Sequence, residues 1–174
     1  MSILHRFKSI STFVFSVDGV LTDGALYLNS SPGFGRRVHT KDGYALAMAV
    51  TRGYRVVFIS SGRTESVIPF LDHLGVKTVF MGIADKHQKL RQWLDQQGVD
   101  CKDVLYMGDD EPDHAAMKSV GLACAPADAP ASIKAIAHYI SLCKGGDGCV
   151  RDVIEKVLTL NHHWDSATDL RPPA

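Results

Sequence analysis

Short apolar runs rich in β-branched and aromatic residues alternate along this chain with stretches of helical period. That order constrains the fold most, because it is the pattern of a parallel sheet covered by helices on both faces. Strands are expected over Thr12 to Val17, Arg55 to Ser60, Thr78 to Phe80 and Val104 to Met107, with a shorter one at Leu122 to Ala125. Helices are expected over Gly43 to Thr51, Glu65 to Leu74, Lys86 to Gln97 and Val150 to Leu160. In the second of these Val67, Ile68, Leu71 and Leu74 share a face, and in the last Val153, Ile154, Val157 and Leu158 do. The fold class expected is therefore α/β, a doubly wound Rossmann-like sheet. At 174 residues the chain can bury one good core but not two ordinary enzyme domains, so a single domain over 1–174 is expected.

One segment breaks the alternation. Between Gly24 and Lys41 the sequence is ALYLNSSPGFGRRVHT, two strand-like pieces around a turn rich in Ser, Pro and Gly. This predicts a β-hairpin inserted after the first strand, over about 24–41, that covers a site or pairs with another subunit. The end of the chain, about 165–174, is DSATDLRPPA, polar with a terminal Pro pair, and is expected to be mobile.

Lys and Arg number 19, as do Asp and Glu, so the chain is formally neutral. Neutrality gives no electrostatic case for a nucleic acid or an anionic membrane surface. No apolar run approaches the roughly 20 residues that span a bilayer, and the start has no small-residue cleavage site, so the cytoplasm is the expected compartment. The four cysteines, Cys101, Cys124, Cys143 and Cys149, contain no CxxC pair. This argues against a zinc site or a disulfide framework, and most of them are expected as buried free thiols.

Ligands of a doubly wound sheet bind beyond the carboxyl ends of its strands, which directs attention to three segments. They are Ser16-Val17-Asp18-Gly19-Val20-Leu21-Thr22-Asp23-Gly24, Ser60-Ser61-Gly62-Arg63 and Gly108-Asp109-Asp110-Glu111-Pro112-Asp113. Clustered carboxylates repel one another in a partly dry cleft, and a hard divalent cation relieves that cost. Asp109 and Asp110 are oxygen donors of the kind Mg2+ takes. The plainer alternative is that these aspartates cap the helix opened near Pro112, and for Asp113 that is the expectation. Ser61 and Gly62 end a strand and open a helix, so a hydroxyl and backbone N–H groups can converge on an anion. Lys86, just before an amphipathic helix, can add a fixed positive charge, although a lone lysine there is more often a solvated one.

The order Ser16-x-Asp18-Gly19-Val20-Leu21-Thr22-Asp23-Gly24, then Ser61-Gly62-Arg63, Lys86 and Gly108-Asp109-Asp110 resembles the four motifs of the haloacid dehalogenase superfamily. More narrowly, it resembles the capless 3-deoxy-D-manno-octulosonate 8-phosphate phosphatases and relatives acting on nine-carbon sugar-acid phosphates. The narrower likeness rests on DGVLTDG, the inserted hairpin, Lys41-Asp42-Gly43-Tyr44 and Gly145-Gly146-x-Gly148-x-Val150-Arg151, and it spans Phe13 to the final helix. The resemblance implies Mg2+ as cofactor, a small phosphorylated sugar acid as substrate, and a homotetramer whose hairpins complete neighbouring sites. It implies that Asp18 protonates the leaving alcohol and then activates water, and that its backbone carbonyl binds metal with Asp109 and Asp110. Ser61, Gly62 and Thr22 would bind phosphate or substrate, and Lys86 would neutralise both phosphate and nucleophile. Arg36 and Arg37 are expected as solvated charges, with Lys41 the better candidate to reach a substrate carboxylate.

In such enzymes the first motif position is an aspartate that attacks phosphorus and binds metal, and here it is Ser16. A serine hydroxyl is neutral and shorter, and no histidine adjoins it as a base. The expected outcome is a Mg2+-dependent phosphomonoesterase framework whose hydrolysis is very weak or lost. The competing reading is a non-catalytic binding or regulatory module on the same scaffold. A phosphotransfer receiver domain is disfavoured by the length, the hairpin and Asp18 with Thr22. The pair His162-His163 lacks matching ligands for a metal and is expected to be solvated.

Overall fold

The computed structural model describes residues 2–28, 34–63 and 65–164. Its elements in chain order are α1 (Ile3–Lys8), β1 (Thr12–Phe15), β2 (Tyr27–Leu28), β3 (Phe34–Gly35), α2 (Thr40–Thr51), β4 (Arg55–Ile59), α3 (Ile68–His73) and β5 (Thr78–Phe80). Then follow α4 (Lys86–Gln97), β6 (Val104–Met107), α5 (His114–Lys118), β7 (Leu122–Ala125), α6 (Ala131–Ile136), β8 (Tyr139–Ile140) and α7 (Cys149–Leu160). Six strands form one sheet in the order β5-β4-β1-β6-β7-β8, and every pairing in it is parallel. This is the doubly wound α/β fold that the alternation predicts.

The central strands are apolar without alternation because both of their faces are covered. Phe13 and Phe15 point into a cluster with Leu46 of α2 and Val153, Ile154 and Val157 of α7. Between them Val14 points the other way, into a cluster with Leu90 and Trp93 of α4 and Ala116 of α5. Helices α1 and α6 and strand β8 are not expected from the sequence; they are six, six and two residues long. Segments this short carry too little period to register. Helix α2 starts three residues earlier than expected, where the His39 side chain accepts from the N–H of Lys41.

The hairpin is present, with Tyr27 and Leu28 antiparallel to Gly35 and Phe34. Its outer surface is apolar: Leu26, Tyr27, Leu28 and Phe34 are exposed, Leu28 at 80%. The expected mobile tail at 165–174 lies outside the described residues. Cys124 and Cys149 are buried and Cys101 is exposed; all four thiols are free. Among the described residues no helix is long and apolar enough to cross a membrane.

Candidate active site

The register of the sheet builds the site. Phe15 lies beside Phe58 on one side and Met107 on the other, so the residues that follow β1, β4 and β6 emerge together. Ser16 is the first residue beyond β1, its N–H donating to the Met107 carbonyl at 3.0 Å. It is 3% exposed. Asp85 caps α4 through the N–H of Gln88 at 2.8 Å, which sets Lys86 as the first residue of that helix, the expected span. The Lys86 ammonium reaches across to donate to Ser16 Oγ at 3.0 Å and to Asp113 Oδ1 at 2.7 Å.

Asp113 departs from the expectation of a helix cap. It is 1% exposed and accepts from Lys86, from the Tyr106 hydroxyl at 2.7 Å and from the Asp109 N–H at 3.2 Å. The capping contact belongs to Asp110, whose side chain accepts from the Glu111 N–H at 2.9 Å. A buried ammonium needs a charged partner, and Asp113 is that partner. Burial, reinforced by the Asp113 charge, raises the Tyr106 hydroxyl well above its ordinary range and keeps it a donor.

After Ser16 the chain makes one wide turn, with Asp18 extended and Gly19 at φ 81°. The turn closes where the Thr22 N–H meets the Val17 carbonyl at 3.0 Å. Glycine is required at 19 for a second reason: a Cβ there would lie 1.9 Å from Asp109 Oδ2. The Asp109 carboxyl is pushed up to about 7, first by burial and then by the neighbouring Asp113 charge, with Lys86 opposing.

The Asp18 side chain is held from the hairpin. Arg36 donates through Nε to Oδ1 at 2.6 Å and through Nη2 to Oδ2 at 3.3 Å, so Arg36, expected as solvated, enters the site instead. Thr22, expected as a substrate contact, is fully buried. Its hydroxyl donates to Asp18 Oδ1 at 3.5 Å and accepts from the Gly24 N–H at 3.2 Å. It supports the turn and has no free face for substrate. Arg37 bridges Asp23 at 2.9 Å and Asp147 at 2.8 Å.

Ser16, Asp18, Ser61, Gly62, Lys86, Asp109 and Asp110 all line one cleft of about 290 Å³. A second hollow of about 370 Å³ shares Gly19, Gly24, Asp109 and Asp110 with it and extends to Asp128. A larger apolar groove between α1 and α7, lined by Leu4, Phe7 and Tyr139, contains none of these groups. Ser61 and Gly62 lie in a bend, and the next helical turn starts only at Glu65, so they do not open a helix as expected. Lys41 is exposed at the start of α2 and is absent from the lining of the cleft.

The two outlying motifs brace the site. Asp42 is fully buried and accepts from the Arg151 N–H at 2.7 Å and the Gly148 N–H at 3.2 Å. Burial raises its carboxyl, and those backbone donors pull it back. Gly145 packs so closely under the Ser16–Gly24 turn that a Cβ would lie 2.0 Å from the Gly19 carbonyl oxygen. Sequence reasoning missed Tyr106, the buried role of Asp113 and the reach of Arg36. The four-residue interval from Asp109 to Asp113 was a usable signal; for Arg36 there was none.

Comparison with known proteins identifies the family. A family of haloacid dehalogenase-like hydrolases matches residues 78–153. The 3-deoxy-D-manno-octulosonate 8-phosphate phosphatase KdsC of Yersinia pestis is 30% identical over 168 residues, covering 97% of this chain and 90% of the relative. The chain belongs to the haloacid dehalogenase superfamily, in its 3-deoxy-D-manno-octulosonate 8-phosphate phosphatase-like subfamily. KdsC of Escherichia coli K12 is 28% identical, covering 95% of this chain and 88% of the relative. The Y. pestis crystal structure superposes with a TM-score of 0.92 at 30% identity, over 97% of this chain and 91% of that one. The subfamily structure from Moraxella catarrhalis, with magnesium ion, phosphate ion and a KDO molecule bound, gives 0.87 at 28% identity over 91% of each chain.

Proposed function

We propose that this protein binds a phosphorylated sugar acid together with Mg2+ in the Ser16 cleft and hydrolyses it very weakly or not at all. The observation that carries the reading is the hydrogen bond from Lys86 to the Ser16 hydroxyl, because it joins a preserved cationic pocket to a position without a nucleophilic carboxylate.

The donor set suits magnesium. Among the described residues no group of three or more His, Cys, Asp or Glu assembles as a metal site, which would disfavour a metal needing a full protein cage. Magnesium takes one or two carboxylates and completes its octahedron with water and substrate phosphate. Asp109, Asp110 and the Asp18 carbonyl would hold it, with Ser16 Oγ in place of the usual carboxylate, and the raised Asp109 carboxyl supplies the site in want of positive charge. When bound, the ion neutralises phosphoryl oxygens.

The chain's own groups divide into binding and chemistry. Ser61 and Lys86 line the cleft and would bind the phosphoryl oxygens, while the Gly62 N–H donates to Ser60 Oγ at 3.2 Å and holds the bend that carries Ser61. In the subfamily's mechanism the P–O bond to the sugar breaks as the position-16 nucleophile bonds phosphorus, and Asp18 delivers its proton to the departing alkoxide. Ser16 serves that attack poorly. Its hydroxyl must lose a proton, and the Lys86 ammonium, donating to both Ser16 and Asp113, has no lone pair with which to take it.

The test is Ser16→Asp, assayed with Mg2+ on 3-deoxy-D-manno-octulosonate 8-phosphate and on a nine-carbon sugar-acid phosphate. A catalytic nucleophile is worth up to about a millionfold, and a gain of at least about a thousandfold is expected. Calorimetry on the unsubstituted chain should show Mg2+-dependent binding of the same substrate. Binding without any gain after Ser16→Asp would favour a purely non-catalytic module, and absence of binding would overturn the proposal. The cytoplasmic location and the tetramer, with the apolar hairpins meeting, belong to this reading.

A further inference from the structure

We propose that Arg36 is a positioning residue that holds the Asp18 carboxylate away from proton transfer until a substrate anion takes its place, so that Ser16 is not the only brake on this site. The inference rests on the proposed phosphatase chemistry for its consequence, but the contact itself stands apart from it.

The geometry carries the argument. Arg36 donates to both oxygens of Asp18, through Nε at 2.6 Å and Nη2 at 3.3 Å. Planar two-point pairing of this kind is the strongest arrangement open to a carboxylate and a guanidinium. The arginine side chain is only 12% exposed, and that of Asp18 is 36% exposed, so water screens the pair less than it would at a free surface. Thr22 adds a third donor on Oδ1. An acid that is to protonate a departing alkoxide must carry a proton on one oxygen and aim it at the substrate, and here both oxygens face donors.

The arm that delivers Arg36 is suited to move. Arg36 follows β3, a strand of only two residues whose other partner is equally short. Its base is fastened by Arg37 to Asp23 and Asp147, and the Arg36 guanidinium, which also donates to the Phe34 carbonyl at 3.4 Å, is the part that would exchange one anion for another. A phosphorylated sugar acid brings such anions. Transfer of Arg36 from Asp18 to a substrate carboxylate or phosphoryl oxygen would release the acid as substrate enters, linking proton delivery to occupancy.

Two measurements test this. In the unsubstituted protein, the Arg36 Nε–H should exchange slowly with water by NMR; the protection should vanish in Asp18→Ala, which removes both acceptor oxygens, and on saturation with the sugar-acid phosphate. Protection that is absent, or that survives Asp18→Ala, overturns the proposal whatever the protein hydrolyses. In the Ser16→Asp background, Arg36→Ala should raise kcat about tenfold while raising KM, and Arg36→Lys should lie between, since an ammonium pairs with one oxygen only. An unchanged or lowered kcat in Arg36→Ala overturns the latch even if Ser16→Asp is active. Should neither background hydrolyse the substrate, the site is a non-catalytic module and the NMR result alone decides for or against the contact.

Discussion

At the floor of the cleft the Lys86 and Asp113 side chains are 4% and 1% exposed and 2.7 Å apart, whereas at the rim Arg36 and Asp18 are 12% and 36% exposed and 2.6 Å apart. The distances are nearly equal, yet the two pairs do different work. Lys86 is anchored on a capped twelve-residue helix, and Asp113 also holds the Tyr106 hydroxyl and the Asp109 N–H. Neither can leave without stranding a charge in a dry place. Arg36 comes from a two-stranded arm, and under the proposal above it trades partners with an entering anion. The lesson is that burial, more than distance, separates an ion pair fixed in a dry floor from one that water and an entering anion can reach.

The comparison can be broken most directly at the floor. Asp113→Ala leaves the Lys86 ammonium buried without its carboxylate, and should destabilise the protein by about 3–5 kcal/mol, measured as a lowered urea midpoint. A loss as small as that of a surface substitution would show the floor to be as adaptable as the rim. The next effect is at the rim itself. Arg36→Ala should cost about 1 kcal/mol in the same experiment, because the partly screened pair is replaced by water at Asp18. A cost equal to that of Asp113→Ala would erase the distinction drawn above. Smallest of all is Arg37→Ala. Its guanidinium is raised above its ordinary range by Asp147 and Asp23, but exposed pairs of this kind contribute little to stability, and the urea midpoint should not shift resolvably.

Much of the site was legible before any coordinates. Ser16, Asp18, Ser61, Gly62, Lys86, Asp109 and Asp110 were each marked by following a strand run or opening a helix, and all line the same cleft. The parallel register explains why: residues just past adjacent strand ends must emerge side by side. Thr22 and Lys41 fared differently. Both sit in family-like motifs, yet Thr22 turns inward to Asp18 and Gly24, and Lys41 lies outside the cleft of its own chain. A motif fixes which residue types occur, while the direction of a side chain depends on what packs against it. Asp42 illustrates the same limit, since its partners at Gly148 and Arg151 lie more than a hundred positions away.

What the sequence by itself determined is the alternation of strand and helix, and with it the sheet, the place of the cleft and the unusual serine at position 16. These follow from local periodicity and from short motifs at strand ends, which need no knowledge of distant partners. Only the tertiary structure decided that Asp113 neutralises Lys86, that Gly145 supports the Ser16–Gly24 turn and that Arg36 grips Asp18. Each of these depends on where a side chain or a backbone carbonyl lies after the whole chain has packed, and charge pairing across such separations leaves no period in the sequence.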